Sequence, residues 1–252
     1  MKNQSVSIWI WCIVALFVFQ QCDSKSSEVS PSTTGIGGSL ARFAIAGNSL
    51  YIATKHSLDV YDVSNPQSPI KIATNNLGVG IETIFPYQSY LFIGANDGMY
   101  IFDNKILFSP KLITKYTHVM SCDPVVVQGS YAYVTLRSGT NCRFGGGGSS
   151  LDVVDISNIN APKLIHSQAL NSPYGLGVDD DKLFVCEGEN GLKIFDITDP
   201  KKPVLKKTLA DVLSYDVIPN QKILIITGEK GISQYRYDSN ETFEFLSKIV
   251  IE

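Results

Sequence analysis

One phrase is written three times in this chain: LDVYDVSNPQSP from Leu58, LDVVDISNINAP from Leu151 and LKIFDITDPKKP from Leu192. Superposed on the shared aspartate, the copies are anchored at Asp62, Asp103, Asp155, Asp196 and, in a degenerate last copy, Arg236. The intervals are 41, 52, 41 and 40 residues, so the third copy carries about eleven extra. A period near 40 made of short alternating segments belongs to propeller blades and not to a helical solenoid.

Each copy holds four strand candidates. In the first they are residues 42–46, 50–53, 58–63 and 70–74. GNS, YQS, QGS, DDD and PNQ separate the first two strands of successive copies, and all read as hairpin turns. Alternation in LDVYDV puts Leu58 and Val60 on one face and Tyr61 and Val63 on the other. Both faces are apolar, as expected for a sheet held between two neighbours. Proline after the aspartate ends the third strand, because it cannot donate to a ladder. No helical period appears in the mature chain. The expected fold is all-β: a five-bladed β-propeller of four-stranded blades over residues 40–252, with blades near 40–80, 81–121, 122–173, 174–215 and 216–252. No strand is left over for strand exchange, so blades one and five are expected to meet face to face.

The N-terminus reads differently. An uncharged apolar run from Ile8 to Phe19 follows Lys2, too short to span a bilayer but suited to an export signal. Polar residues begin directly after Cys22, and the layout resembles a bacterial lipoprotein signal in which Cys22 is lipidated. Gln20 and Gln21 depart from the small residues usual before such a cysteine, and a plain secretory signal is the alternative. Residues 1–21 are thus read as a lipoprotein signal peptide and 22–39, rich in Ser, Thr, Gly and Pro, as a flexible, disordered tether.

The phrases LDVYDVSNP, LDVVDISN and LKIFDITDP, each preceded by a segment such as SYAYVT or KLFVCE, resemble the LVIVD repeat of bacterial surface proteins. The resemblance is weak in the second copy, where NKILFSP follows Asp103, and in the fifth, which lacks the aspartate. It implies an exported propeller and no defined activity. With the signal, it places the protein at the bacterial cell envelope as an outer-membrane lipoprotein, held to the membrane by its lipid.

Bulk properties exclude one partner class. An acidic excess of three charges and 44% hydrophobic residues give no basic footprint for nucleic acid. The repeated aspartates read as turn acceptors, not as a recurring active site. Cys122, just before the inner strand of blade three, and Cys142, in that blade's enlarged top connection, are brought together by propeller topology and are expected to form a disulfide. Cys186 reads as a buried hydrophobe. No metal site and no cofactor are expected, since neither CxxC nor paired histidines accompany the cysteines.

Two places could bind a ligand. The enlarged connection, RSGTNCRFGGGGSS, presents Arg137, Arg143 and Phe144, although it also reads as a tolerated insertion. Aligning the inner strands puts Glu82, Asp123 and Asp216 at the channel mouth, with Arg42 or Ala41 and Tyr174 at matching positions. Three carboxylates there could take a cation or a polyhydroxylated ligand, or simply cap the first turn of each blade. His56, His118 and His166 fall in different blades with no Ser or Cys partner, so no catalytic residues are assigned. The expected role is non-catalytic: binding an unknown macromolecule or a glycan through the top face. The alternatives are a glycoside-acting hydrolase using the mouth carboxylates and a structural subunit of an envelope complex.

Overall fold

A computed structural model describes residues 38–78, 80–117, 124–138, 148–239 and 242–251. The expected signal, Cys22, His118, Cys122, Asp123, Cys142, Arg143 and Phe144 lie outside the described residues. Twenty strands form five four-stranded sheets, each a meander of antiparallel neighbours. Blade 1 is β1 (Phe43–Ala46), β2 (Ser49–Ala53), β3 (Ser57–Asp62) and β4 (Ile70–Asn76). Blade 2 is β5 (Ile81–Tyr87), β6 (Tyr90–Ala95), β7 (Gly98–Asp103) and β8 (Lys111–Tyr116). Blade 3 comprises β9 (Val125–Gln128), β10 (Tyr131–Leu136), β11 (Ser149–Asp155) and β12 (Lys163–Leu170). In blade 4 the strands are β13 (Leu176–Asp179), β14 (Lys182–Cys186), β15 (Leu192–Asp196) and β16 (Val204–Leu209). Blade 5 holds β17 (Asp216–Asn220), β18 (Ile223–Gly228), β19 (Gly231–Tyr237) and β20 (Phe243–Ile249). The all-β, five-bladed expectation holds.

The recurring phrase is the third strand and its exit turn. Leu58 and Val60 are fully buried, and the aspartates do turn work. Asp62, Asp155 and Asp196 accept the amide two residues on at 2.8 Å, and Asp103 does so at 2.9 Å. The Thr198 amide and hydroxyl hold the Asp196 carboxyl down to about 2. Its contribution is therefore complete above about pH 4 and is lost as pH falls toward 2. Asp196→Ala should cost about 1 kcal/mol at neutral pH and much less at pH 2, read by urea unfolding. An equal cost at both values would rule out the charged turn acceptor.

Every blade also shifts register between its third and fourth strands, two residues before the aspartate position. The sites are Val60/Tyr61, Ile101/Phe102, Val153/Val154, Ile194/Phe195 and Gln234/Tyr235. The extra residue sits on the outermost strand, which twists the free edge and blunts it as a pairing template.

Seams between blades are built by one repeated position on the second strand. Tyr51, Phe92, Tyr133 and Phe184 occupy it in blades 1 to 4, and all four are fully buried. Each belongs to an apolar cluster shared with the next blade. Tyr51 also donates its hydroxyl to the Leu107 carbonyl at 2.6 Å, and Tyr133 to the Pro200 carbonyl at 3.1 Å, bolting each to the next blade's exit turn. In blade 5 the position is Ile225, which is only half-buried. Among the described residues no apolar cluster joins blade 5 to blade 1. On the β1 face that turns away from blade 2, Phe43 is 63% and Ile45 52% exposed. Among the described residues, blades 1 and 5 therefore meet without the shared apolar cluster that the expected face-to-face packing implies. The seam lacks the aromatic plug that fills the other four.

Candidate functional site

The mouth of the channel is shaped by a short segment ahead of β1. Gly38 and Ser39, expected as the end of the tether, are buried parts of the fold. The Ser39 hydroxyl accepts the Leu176 amide of blade 4 at 2.6 Å and donates to Asp216 Oδ1 of blade 5 at 3.2 Å. The Leu40 amide reaches Asp216 Oδ2 at 3.4 Å. Glycine is required on both sides of this carboxyl. A Cβ on Gly38 would lie 2.0 Å from Oδ2, and one on Gly175 would lie 2.1 Å from Oδ1. Burial pushes the Asp216 carboxyl up to about 6, against the amides of Val217, Leu40 and Ser39, which favour its charge.

Beside Asp216 opens a cavity of about 380 Å³. Its walls come from blade 1 (Phe43, Ala44, Ile45), blade 2 (Ile84, Phe85, Pro86) and blade 5 (Ile218), with Asp216 as the sole ionisable side chain lining it among the described residues. This is the inner part of the unplugged seam.

The other acids are placed differently. Glu82 Oε2 lies 2.6 Å from Arg42 Nη2 in a partly exposed ion pair that links the tops of blades 2 and 1. Their charges are used on each other. Among the described residues no group of three His, Cys, Asp or Glu side chains could hold a metal ion. His56 meets the Gly78 carbonyl through Nδ1 at 3.1 Å, and His166 lies on β12, in the outer rank of blade 3.

Arg137 and Tyr174, assigned separately from sequence, come together. The Arg137 guanidinium lies 3.9 Å from the centre of the Tyr174 ring, and that ring lies 4.9 Å from Tyr215. Thr135 Oγ1 donates to the Tyr174 carbonyl at 2.7 Å and fixes its backbone. The result is a half-buried cationic and aromatic platform at the top of blades 3 to 5, beside the enlarged connection. Tyr215 was not anticipated, because it precedes its strand and the repeat gives it no counterpart. The connections between second and third strands are shorter than the four or five residues expected in blades 1, 2 and 5, where only residues 54–56, 96–97 and 229–230 intervene. They build no cleft wall there.

Below this platform, Cys186 is fully buried, and burial pushes its thiol up out of any reactive range. Across the bottom face, Lys222 Nζ bridges Asp179 at 2.6 Å and Asp180 at 2.7 Å, while the Tyr237 hydroxyl donates to Asp179 at 2.5 Å. The aspartates of this hairpin thus clamp blade 4 to blade 5, a job that local turn reasoning does not reveal.

These features define a small all-β propeller with a polar-aromatic top face and an apolar, acid-tipped central cavity. The LVIVD repeat family model matches residues 37–75, 145–169 and 176–211, so three segments of the chain, those of blades 1, 3 and 4, carry LVIVD repeats. Solved structures share the fold. A functionally unknown protein from Desulfotomaculum acetoxidans superposes with a TM-score of 0.67 at 10% identity, covering 84% of this chain and 71% of that one. BamB from Moraxella catarrhalis gives 0.56 at 11% identity, over 83% and 63% of the two chains. The periplasmic gluconolactonase PpgL of Pseudomonas aeruginosa gives 0.60 at 13%, over 81% and 68%. The chain therefore spans from 63% to 71% of these three proteins. No curated protein matches it.

Proposed function

We propose that the protein is an exported module, lipid-anchored through Cys22 in the outer membrane of the bacterial envelope, that binds a macromolecule or a glycan through its top face without catalysing a reaction. The observation that carries this reading is the Arg137–Tyr174–Tyr215 platform, whose adjoining, tilted rings and guanidinium suit sugar faces and polar polymer surfaces. It adjoins the connection at 137–150, where blade 3 departs from the repeat, and loops on rigid scaffolds are favoured binding elements. Arg143 and Phe144 extend the same surface in this reading, and a Cys122–Cys142 disulfide holds it.

The test is photo-crosslinking in intact cells from a probe at Ser138, together with binding of the purified chain to envelope polysaccharides. A discrete adduct or saturable binding should be lost by at least tenfold in Tyr174→Ala with Arg137→Ala. An adduct pattern unchanged by both substitutions would refute the platform. Absent palmitate labelling of the wild type would remove the lipid anchor, labelling that persists in Cys22→Ser would move it off Cys22, and a free-thiol count unchanged by reduction would remove the disulfide.

A second reading is a glycoside hydrolase acting through Glu82, Asp123 and Asp216. It is favoured by one observation, that Asp216 is held near neutral pH as a general acid would be. Against it stands the Arg42–Glu82 pair, which occupies the partner carboxylate. Turnover on a glycoside panel that vanishes in the triple alanine variant would establish it.

A further inference from the structure

We propose that the cavity in the open seam between blades 1 and 5 is a binding site for a small amphiphilic cation, its ammonium group on Asp216 and its apolar body against Phe43, Ile45, Phe85 and Ile218. The inference deepens the reading of the chain as a binding module, though it uses a surface separate from the top platform.

Three observations converge. First, the volume of about 380 Å³ falls in the range of ligand pockets, and the walls are apolar with one polar group at the end, the usual composition of such sites. Second, no described residue plugs the apolar surface there. In the other four seams the corresponding faces are filled by Tyr51, Phe92, Tyr133 and Phe184, whereas here Phe43 and Ile45 stay more than half exposed. Third, the charge of Asp216 is unmatched. Its hydrogen-bond donors are the Ser39 hydroxyl and the amides of Ser39, Leu40 and Val217, all neutral. Among the described residues no Lys, Arg or His pairs with it, and Arg42 is held by Glu82.

A carboxylate desolvated without a counter-ion is costly, and the molecule relieves the cost either by keeping a proton or by taking up a cation. The apolar walls select which cation. An inorganic ion would lose its hydration shell against Phe43 and Ile218 and find only one carboxylate in exchange, whereas an organic ammonium buries its carbon skeleton as it meets the charge. The two phenylalanines favour a flat or aromatic body.

The pH dependence follows from the groups around the carboxyl. Ser39 and Leu40 from the lead-in segment and Gly175 from blade 4 carry no charge, and Cys186 of blade 4 stays protonated because burial holds its thiol up. Tyr215, next in sequence, is likewise pushed up by burial and stays neutral. Asp216 is then the group that titrates, with a midpoint near 6 when the cavity holds no ammonium.

The experiment uses phenethylamine as probe and phenethyl alcohol as its neutral match, with calorimetry and thermal shift on the mature chain. Phenethylamine should bind saturably, at least tenfold tighter than the alcohol at pH 7, and its affinity should fall about tenfold per unit as pH is lowered below 6. Asp216→Asn should abolish the preference for the amine, while Phe43→Ala, at an exposed position, should weaken amine and alcohol alike. Equal affinity for the two probes, retention of the preference in Asp216→Asn, or no saturable binding would each overturn the proposal. Concentration-dependent dimerisation that excludes the probe would overturn it too, by showing that a second copy covers the seam. Top-face capture that survives loss of amine binding would leave the module reading intact and sink only this one.

Discussion

Lys193→Met should destabilise the protein by about 3–5 kcal/mol, more than any exposed ion-pair substitution. Glu187 is fully buried in the connection between β14 and β15, where its Oε1 accepts the Asn171 amide at 2.8 Å. Lys193 Nζ, itself mostly covered, lies 2.6 Å from Oε2. Removing the lysine leaves a carboxylate buried beside one neutral donor, and water cannot reach it without opening the top of blade 4. At about 2–4 °C per kcal/mol for a domain of this size, the midpoint should fall by roughly 6–20 °C. Glu187→Gln in the same chain should recover part of the loss, since the amide keeps the Asn171 bond and no charge remains. Arg236→Met is the internal control. Its pair with Glu244 is 2.9 Å long but both side chains are more than half exposed, so the cost should stay within about 0.5 kcal/mol. A Lys193→Met cost below about 1 kcal/mol would mean that the pair is solvated and that Glu187 is not the anchor described.

The second large effect is a pH dependence of opposite sign to the one expected of most carboxylates. Asp216 rises from an ordinary 3.8 to about 6 in the folded chain. Between those values the native state binds more protons than the unfolded state, so this group's contribution is complete below about pH 4 and is lost as pH rises through 6. The difference amounts to about 2–3 kcal/mol. Asp62, Asp155 and Asp196 act the other way at lower pH, because their turn hydrogen bonds depress them. The clean observable is the stability of Asp216→Asn relative to the wild type, from urea unfolding at pH 4 and pH 7. The variant should gain about 2 kcal/mol on the wild type over that interval. A constant difference would show that the carboxyl is solvated through the cavity, and an organic cation should shrink the gain in proportion to its occupancy.

How far the chain announced itself depends on the range of the interaction. The Asp62, Asp155 and Asp196 turns close over two residues, and so the repeated phrase could be read correctly as a strand and its exit. The seam plug was also legible in principle. Tyr51, Phe92, Tyr133 and Phe184 stand at one repeat position, and Ile225 breaks the series. By contrast, Ser39 and Asp216 meet across 177 residues, and Lys222 meets Asp179 across 43. The period assigns Glu82, and Arg42 or Ala41, to the mouth. It does not give the mutual neutralisation of Glu82 and Arg42, because register gives a position and not the direction of a side chain.

By itself, then, the sequence determined the blade: its period, its four alternating strands, its aspartate turn and the copy in which the pattern is interrupted. All of these are set by interactions within one repeat, which each copy spells out afresh. Only the tertiary structure decided how five such blades meet. Closure sums the angle at every seam and brings together residues that no local pattern relates, so the unplugged fifth seam, its cavity and the lone carboxyl within it emerge only when the ring is built.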